Sequence, residues 1–240
     1  MTEPANAPTP GPRTDGDLVL DLRAVTFAYP RTPALRGVSL TARRAEVVAV
    51  TGPSGSGKST LLHVAAGLLR PDSGSVTVCG QDMIALDDDA ASALRRREIG
   101  LVLQHGQLVP ELPVVDNVAL PLLLDGTGRE AARAAATGWL DRLGVADVAS
   151  AHPADLSGGQ AQRVAVARAL VTGASVVLAD EPTGSMDSDG GEQVLRLMVE
   201  TCRSTRSALV VVTHDNKVAA VADREVRLLD GVVQHEAVLR

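Results

Sequence analysis

Four short runs constrain this chain more than any other feature: Val47-Val48-Ala49-Val50, Ile99-Gly100-Leu101-Val102-Leu103, Val176-Val177-Leu178-Ala179 and Leu209-Val210-Val211-Val212. None of them alternates with polar residues. A strand with one wet face alternates, whereas a strand buried on both faces does not. Double burial is the habit of mostly parallel sheets covered by helices. Three further segments, at residues 18–22, 74–78 and 225–229, are more mixed and flanked by turn residues, which predicts antiparallel strands near an edge. Between Gln104 and about Gly173 the strand pattern stops and helical periodicity takes over, as at 130–143 and 160–170. The expected fold class is α/β, with a mostly parallel core sheet, an N-terminal antiparallel β subdomain and an inserted helical subdomain at roughly 105–172. Residues 1–16, rich in Pro, Thr and Gly, read as a flexible tail ahead of one domain over 17–240.

Composition removes several functions. Phe27, Tyr29 and Trp139 are the only aromatic residues, so the core has to be built from Val, Leu and Ala. A net charge of −6 argues against affinity gained by coating nucleic-acid phosphates, and no nucleic-acid partner is expected. The one dense basic run, Arg95-Arg96-Arg97, reads as a solvated helix face. Cys79 and Cys202 form no C-x-x-C pair, which points away from zinc or a disulfide framework and towards a reducing compartment. The N-terminus lacks a basic segment followed by an apolar one, and no stretch approaches the ~18–20 apolar residues of a membrane span. A cytoplasmic location is expected.

The apolar run at 47–50 leads into Gly52-Pro53-Ser54-Gly55-Ser56-Gly57-Lys58-Ser59-Thr60, which fits G-x-x-x-x-G-K-[ST] between a strand and a helical pattern. Gly52, Gly55 and Gly57 let the backbone curl so that successive N–H groups face a phosphate. The following helix, expected from Lys58 to Leu69 with Pro71 as its stop, aims its positive end at the same place. Lys58 supplies a mobile point charge and the Ser59 hydroxyl a ligand for Mg²⁺. Lys58 and Lys217 are the only lysines beside 21 arginines, so an ammonium stands where a compact charge is needed in a chain that otherwise uses guanidinium. ATP with Mg²⁺ is the expected ligand pair.

The other apolar runs end on polar residues: Gln104, Asp180-Glu181 and His214. Ligands collect at the carboxyl ends of parallel strands. Adjacent residues at a strand end point to different sides, so Asp180 can serve the metal while Glu181 orients and deprotonates a water. Gln104 and His214 suit a set of γ-phosphate sensors. From the residues alone, Tyr29 is either a core or edge residue or a ring stacked on adenine.

Leu156-Ser157-Gly158-Gly159-Gln160 resembles the signature motif of the nucleotide-binding subunits of ABC transporters, and the order of the other motifs then fits. By this resemblance Gly52–Ser59 corresponds to Walker A, with Ser54 and Thr60 among the nucleotide contacts. Tyr29 corresponds to the adenine-stacking aromatic, Gln104 to the Q-loop glutamine, Asp180 to the Walker B aspartate and Glu181 to the catalytic glutamate. Ser185-Met186-Asp187 corresponds to the D-loop and His214 to the switch histidine. The resemblance implies catalytic roles for Lys58, Gln104, Glu181 and His214, and Mg²⁺ on Ser59, Gln104 and Asp180. It also implies a head-to-tail homodimer in which Ser157, Gly158, Gly159 and Gln160 grip the nucleotide of the other copy. Locally, Ser157 and Gln160 have the spacing of a capping box at a helix start. Two departures stand out. Ala45 precedes Glu46 where the family usually has Gly, a turn strained by up to ~1 kcal/mol, and Met186 replaces the commoner Leu.

Residues 114–124, Val-Val-Asp-Asn-Val-Ala-Leu-Pro-Leu-Leu-Leu, resemble the subgroup serving macrolide export, lipoprotein release and antimicrobial-peptide resistance. That implies an ATPase subunit, peripheral on the inner face of the cell membrane, powering a separate permease for export. The alternatives are an importer or division-type ATPase, or a soluble ABC ATPase. The apolar set Leu108, Val109, Pro110, Leu112, Pro113 and Val114 is expected either to dock the permease or to pack the insertion's own core.

Overall fold

The computed structural model describes residues 17–104, 107–214 and 216–239, so the tail expected over 1–16 lies outside the described residues. The N-terminal part contains β1 (Leu18–Tyr29), β2 (Thr32–Arg43), β3 (Val47–Thr51), α1 (Lys58–Ala65), β4 (Ser73–Val78), β5 (Gln81–Asp82), α2 (Asp88–Glu98) and β6 (Ile99–Val102). Three helices follow, α3 (Val114–Leu124), α4 (Arg129–Arg142) and α5 (Gly158–Leu170). The chain then returns through β7 (Val176–Asp180), α6 (Ser188–Thr205), β8 (Ala208–Val212), α7 (Asn216–Val221), β9 (Arg224–Leu229) and β10 (Val232–Val238).

The four apolar runs form neighbouring or near-neighbouring strands of a six-stranded sheet ordered β10-β9-β3-β8-β7-β6. Pairing is parallel, with Ala49 opposite Val211, Val177 opposite Leu209 and Leu101 opposite Leu178. Period-two geometry explains why they needed no polar residue. Val47, Ala49, Val177, Ala179, Leu209 and Val211 face one core shared with α3–α6. Val48, Val50, Val176, Leu178, Val210 and Val212 face a second core. The second core is closed by an antiparallel sheet ordered β2-β1-β4-β5 together with α1 and α2. Among the described residues, no helix is long and apolar enough to cross a membrane.

One expectation is extended and one corrected. Residues 225–229, expected as an antiparallel strand near an edge, form β9, which lies one strand in from the edge, antiparallel to β10 and, beyond that expectation, parallel to β3. β10 takes the edge, which is why Val226 and Leu228 are buried. The helix expected to reach Leu69 ends at Ala65. Gly67 adopts φ +64, donates to the Val64 carbonyl, and Leu68 donates to that of His63, a Schellman stop that acts before Pro71 is reached. Ala45 does sit in the left-handed region, at φ +60. Just beyond it, Glu46 pairs with buried Arg224 at 3.0 Å, and Arg224 also meets Glu236 and the Thr41 carbonyl, fastening β2, β3, β9 and β10 together.

Candidate functional site

The chain leaves β3 at Thr51 and turns through the glycine-rich loop into α1. Two of its glycines are dictated by close backbone approach. A Cβ on Gly52 (φ +149) would lie 2.1 Å from the Leu228 carbonyl oxygen, and one on Gly57 (φ +101) 2.4 Å from that of Ala34. Lys58, the first residue of α1, is buried, and its Nζ donates to the Gly52 and Pro53 carbonyls at 2.8 and 2.9 Å. The ammonium therefore stays within the curl of the loop, beside the N–H groups that end it.

Above the loop is a cleft of about 410 Å³. Ser54, Gly55, Gly57, Lys58, Ser59 and Thr60 line it from the loop side, Tyr29 and Thr32–Ala34 from the β1–β2 connection, and Gln104, Asp180 and Glu181 from the strand ends. Tyr29 is 45 % exposed. Its ring stands edge-on to Phe27 at 5.1 Å and its hydroxyl lies 3.4 Å from Thr60 Oγ1. That removes the core reading of Tyr29 and leaves a flat apolar ring at the mouth of a phosphate-sized cradle.

Asp180 and Glu181 diverge as adjacent strand-end residues should. Asp180 is only 4 % exposed. Burial pushes its carboxyl above the ordinary range; the Ser59 hydrogen bond pulls it back, the Glu181 charge raises it, and His63 and Lys58 oppose that rise. A buried carboxylate so placed gains from a nearby cation. Glu181 has φ +46, unusual for a residue with a side chain, and its N–H donates to the Val212 carbonyl at 2.9 Å. Its Oε1 meets the His214 N–H at 3.1 Å and the His214 Nδ1 at 2.5 Å. Its Oε2 accepts from the Thr213 hydroxyl at 3.2 Å. Thr213 was missed in the sequence, where a single Thr after an apolar strand carries no distinguishing pattern.

Ser59, Gln104 and Asp180 offer only oxygen donors of the hard kind that Mg²⁺ prefers. Among the described residues, no group of three or more His, Cys, Asp or Glu could hold a metal ion. The donor chemistry fits an ion that brings phosphate and water ligands with it.

Ser157–Gln160 is not brought to this cleft. The capping box is present: the Ser157 N–H donates to Gln160 Oε1 at 2.9 Å and the Gln160 N–H to Ser157 Oγ at 3.2 Å. The helix start it makes is exposed and neighbours the D-loop-like segment, where the Ser185 hydroxyl donates to the Gly158 carbonyl at 3.3 Å.

Of the two readings of the apolar set after Gln104, docking a permease or packing the insertion's own core, Leu108 takes the second. Leu108 packs against the helical core and is not a free surface. Asn117, fully buried at 0 % exposure, accepts from the Val109 N–H at 2.7 Å and donates to the Val109 and Leu112 carbonyls at 3.0 and 2.8 Å, folding the loop onto α3. A groove of about 250 Å³ is lined by half-buried Leu101, Leu103, Leu120 and Pro121 and exposed Leu124, with Arg95, Arg96 and Arg168 among its other lining residues.

A strand, a glycine-rich turn, a helix beginning in Lys-Ser and a carboxylate pair on a nearby strand end define a phosphate-loop nucleoside triphosphatase. More narrowly, the chain belongs to the ABC transporter family, whose model matches residues 35–184. It is 45 % identical over 219 residues to the lipoprotein-releasing system ATP-binding protein LolD of Maricaulis maris (strain MCS10), covering 90 % of this chain and 96 % of that one. It is 46 % identical over 216 residues to the macrolide export ATP-binding/permease protein MacB of Rhodopseudomonas palustris (strain BisB18), covering 88 % of this chain and 33 % of that protein. The chain thus spans about a third of the length of the MacB relatives it matches. The ATP-binding cassette MJ0796, solved as a dimer in a post-hydrolysis state bound to ADP and Pi, shares 38 % identity at a TM-score of 0.87, over 92 % of this chain and 99 % of that one. A second dimeric structure of that cassette gives a TM-score of 0.89 at 39 % identity. The chain is an ATP-binding and ATP-hydrolysing subunit of this family.

Proposed function

We propose that this chain works as a head-to-tail pair of ATPase subunits on the inner face of a membrane, powering export through a separate permease. Residues 17–240 form its ATPase domain, with roughly 105–172 as an inserted helical subdomain and 1–16 as a tail. The observation that carries the reading is the separation within one chain: the phosphate cleft is built by Lys58 and its neighbours, whereas the glycine-rich helix start at Ser157–Gln160 faces outward, away from it. An exposed helix N-terminus of this kind is an anion site, and a second copy supplies the anion. The dimeric cassette structures support that arrangement.

Within the cleft, Lys58 exchanges its carbonyl contacts for β- and γ-phosphate oxygens, and the loop N–H groups hold the β-phosphate. Ser59, Gln104 and Asp180 would hold Mg²⁺, whose charge offsets that of the phosphates when bound. Glu181, steadied by Thr213 and His214, orients the attacking water and takes its proton as the bond between the γ-phosphorus and the ADP oxygen breaks. His214 and Gln104 report the γ-phosphate, and Gln104 opens the segment leading to the helical part. Tyr29 stacks on adenine. Tyr29→Ala should lower ATP affinity by ~1–3 kcal/mol and leave free triphosphate almost unaffected, as measured by competition titration. Equal losses for both ligands would remove the stacking role.

Export follows from the company the chain keeps: MacB relatives carry an ATP-binding part and a permease in one chain, and this chain spans the share expected of the first. The groove around Leu120, Pro121 and Leu124 is the docking place, because Leu124, 60 % exposed, continues the apolar lining of Leu101, Leu103, Leu120 and Pro121 inside a rim of Arg95, Arg96 and Arg168, and contiguous apolar ground rimmed by polar residues marks an interaction surface. Leu124→Asp and Leu124→Arg, both at an exposed position, should leave the isolated subunit's ATPase rate within about twofold, as exposed substitutions do. Both should abolish recovery of the membrane protein that co-purifies with the wild-type chain in detergent. Undiminished recovery would move the docking site elsewhere, and a wild-type chain that recovers no membrane protein would end the permease reading.

A further inference from the structure

The geometry points to Gly231, in the C-terminal hairpin, as a positioning residue for the phosphate loop, an inference that rests on the reading that this loop holds the phosphates of ATP. β9 and β10 are joined by Asp230-Gly231, a two-residue turn with φ +49 and +75 that pairs Leu229 with Val232, the Asp-Gly form of a tight hairpin. Nothing in hairpin chemistry requires such a turn to touch anything else. This one does. The Gly231 N–H donates to the Ser56 carbonyl inside the phosphate loop at 3.0 Å, and the Gly231 carbonyl accepts from the Arg36 N–H on β2 at 2.8 Å.

The packing around these bonds leaves no slack. A Cβ on Gly231 would lie 2.6 Å from the Ala34 carbonyl oxygen, the same oxygen that a Cβ on Gly57 would approach to 2.4 Å. Two residues before the turn pair, the Leu228 carbonyl limits Gly52 in the same way, at 2.1 Å. The hairpin, β2 and the loop are therefore stacked backbone on backbone, and Ala34 also lines the nucleotide cleft. Displacing Gly231 has to move Ser56 or Ala34, and either movement shifts the loop N–H groups relative to the β1–β2 side of the cleft. Those donors hold phosphate in the ground state and the transition state alike, so their misplacement raises KM more than it lowers kcat.

The molecule contains its own control. β4 and β5 are joined by Cys79-Gly80, with φ +48 and +78, pairing Val78 with Gln81. The conformation matches that of the other turn, but a Cβ on Gly80 would meet nothing within 4 Å. Gly80→Ala carries the backbone strain alone, whereas Gly231→Ala carries the strain and the collision. Gly231→Ala should raise KM for ATP and Kd for ADP between about ten- and a hundredfold, the scale of a displacement of about 1 Å transmitted to a site, with kcat changed far less. Gly80→Ala should lower the melting temperature and leave KM at the wild-type value. Equal KM values for the two variants would overturn the proposal.

Hydrogen exchange on the wild-type chain provides an arm that does not depend on a variant folding. ADP should slow exchange in the peptide spanning 229–233 together with the one spanning the phosphate loop, but not in the peptide spanning 78–82. Slowing confined to the phosphate loop would also overturn it. Lys58→Ala separates this inference from the reading beneath it: unchanged nucleotide affinity in that variant would mean that the loop does not hold the phosphates, whatever Gly231 does.

Discussion

Glu181→Gln is expected to lower ATP turnover by roughly 10²–10⁴-fold while leaving ATP affinity close to that of the wild type. The substitution preserves shape and leaves an oxygen to accept from Thr213 or His214, but it removes the group that takes the proton of the attacking water. Lys58→Ala should fail differently, because its ammonium lies in the curl of the loop at 2.8 and 2.9 Å from two backbone carbonyls and its proposed work is binding. Equilibrium binding with non-hydrolysable ATP, followed by single-turnover hydrolysis, separates the two. If both variants lose binding equally, or if Glu181→Gln still turns over at the wild-type rate, the assignment of a binder and a base is wrong.

Ser157→Arg is expected to abolish turnover while leaving ATP binding to a single subunit intact. Its own cleft does not include residue 157, so the substitution leaves the lining of that cleft unchanged. On the partner side it would replace the small capping hydroxyl at an exposed helix start with a bulky side chain. The loss of the cap would cost the helix about 0.5–2 kcal/mol, well short of unfolding a domain of this size. Normal binding with no ATP-dependent dimer by sedimentation is the expected pair of results. A variant that dimerises and hydrolyses normally would remove Ser157–Gln160 from the active arrangement.

The parts of the fold legible in the sequence were those fixed by local pattern. Val47–Val50 and Val176–Ala179 could be read as doubly buried strands because nothing polar interrupts them, and the phosphate loop because its residue types are each needed at their spacing. β9 reads as a strand near an edge, but its parallel pairing with β3 is not legible, because its place depends on β10, whose mixed, exposed sequence Val-Val-Gln-His-Glu-Ala-Val gives little signal of its own. The end of α1 was misread because proline drew attention from Gly67, whose left-handed turn stops the helix first. Leu108 could be read either as docking surface or as core because the agent that folds its loop onto α3 is a single side chain, Asn117. An asparagine inside an apolar helix start was the available clue, since a buried amide has to find hydrogen-bond partners. Gly231 and Thr213 act through partners more than 30 residues away in sequence, and no local pattern carries that information. The partner proposed for Ser157–Gln160, the nucleotide of a second copy, lies outside the chain and leaves no pattern in it.

The central claim, that hydrolysis needs a cleft from one copy and a helix start from another, is tested most directly by the wild-type ATPase rate per subunit across a dilution series, with sedimentation at each concentration. The account predicts that the rate per subunit falls on dilution in step with the ATP-dependent dimer and vanishes where only monomer sediments. A constant rate per subunit in solutions that contain monomer alone would contradict it.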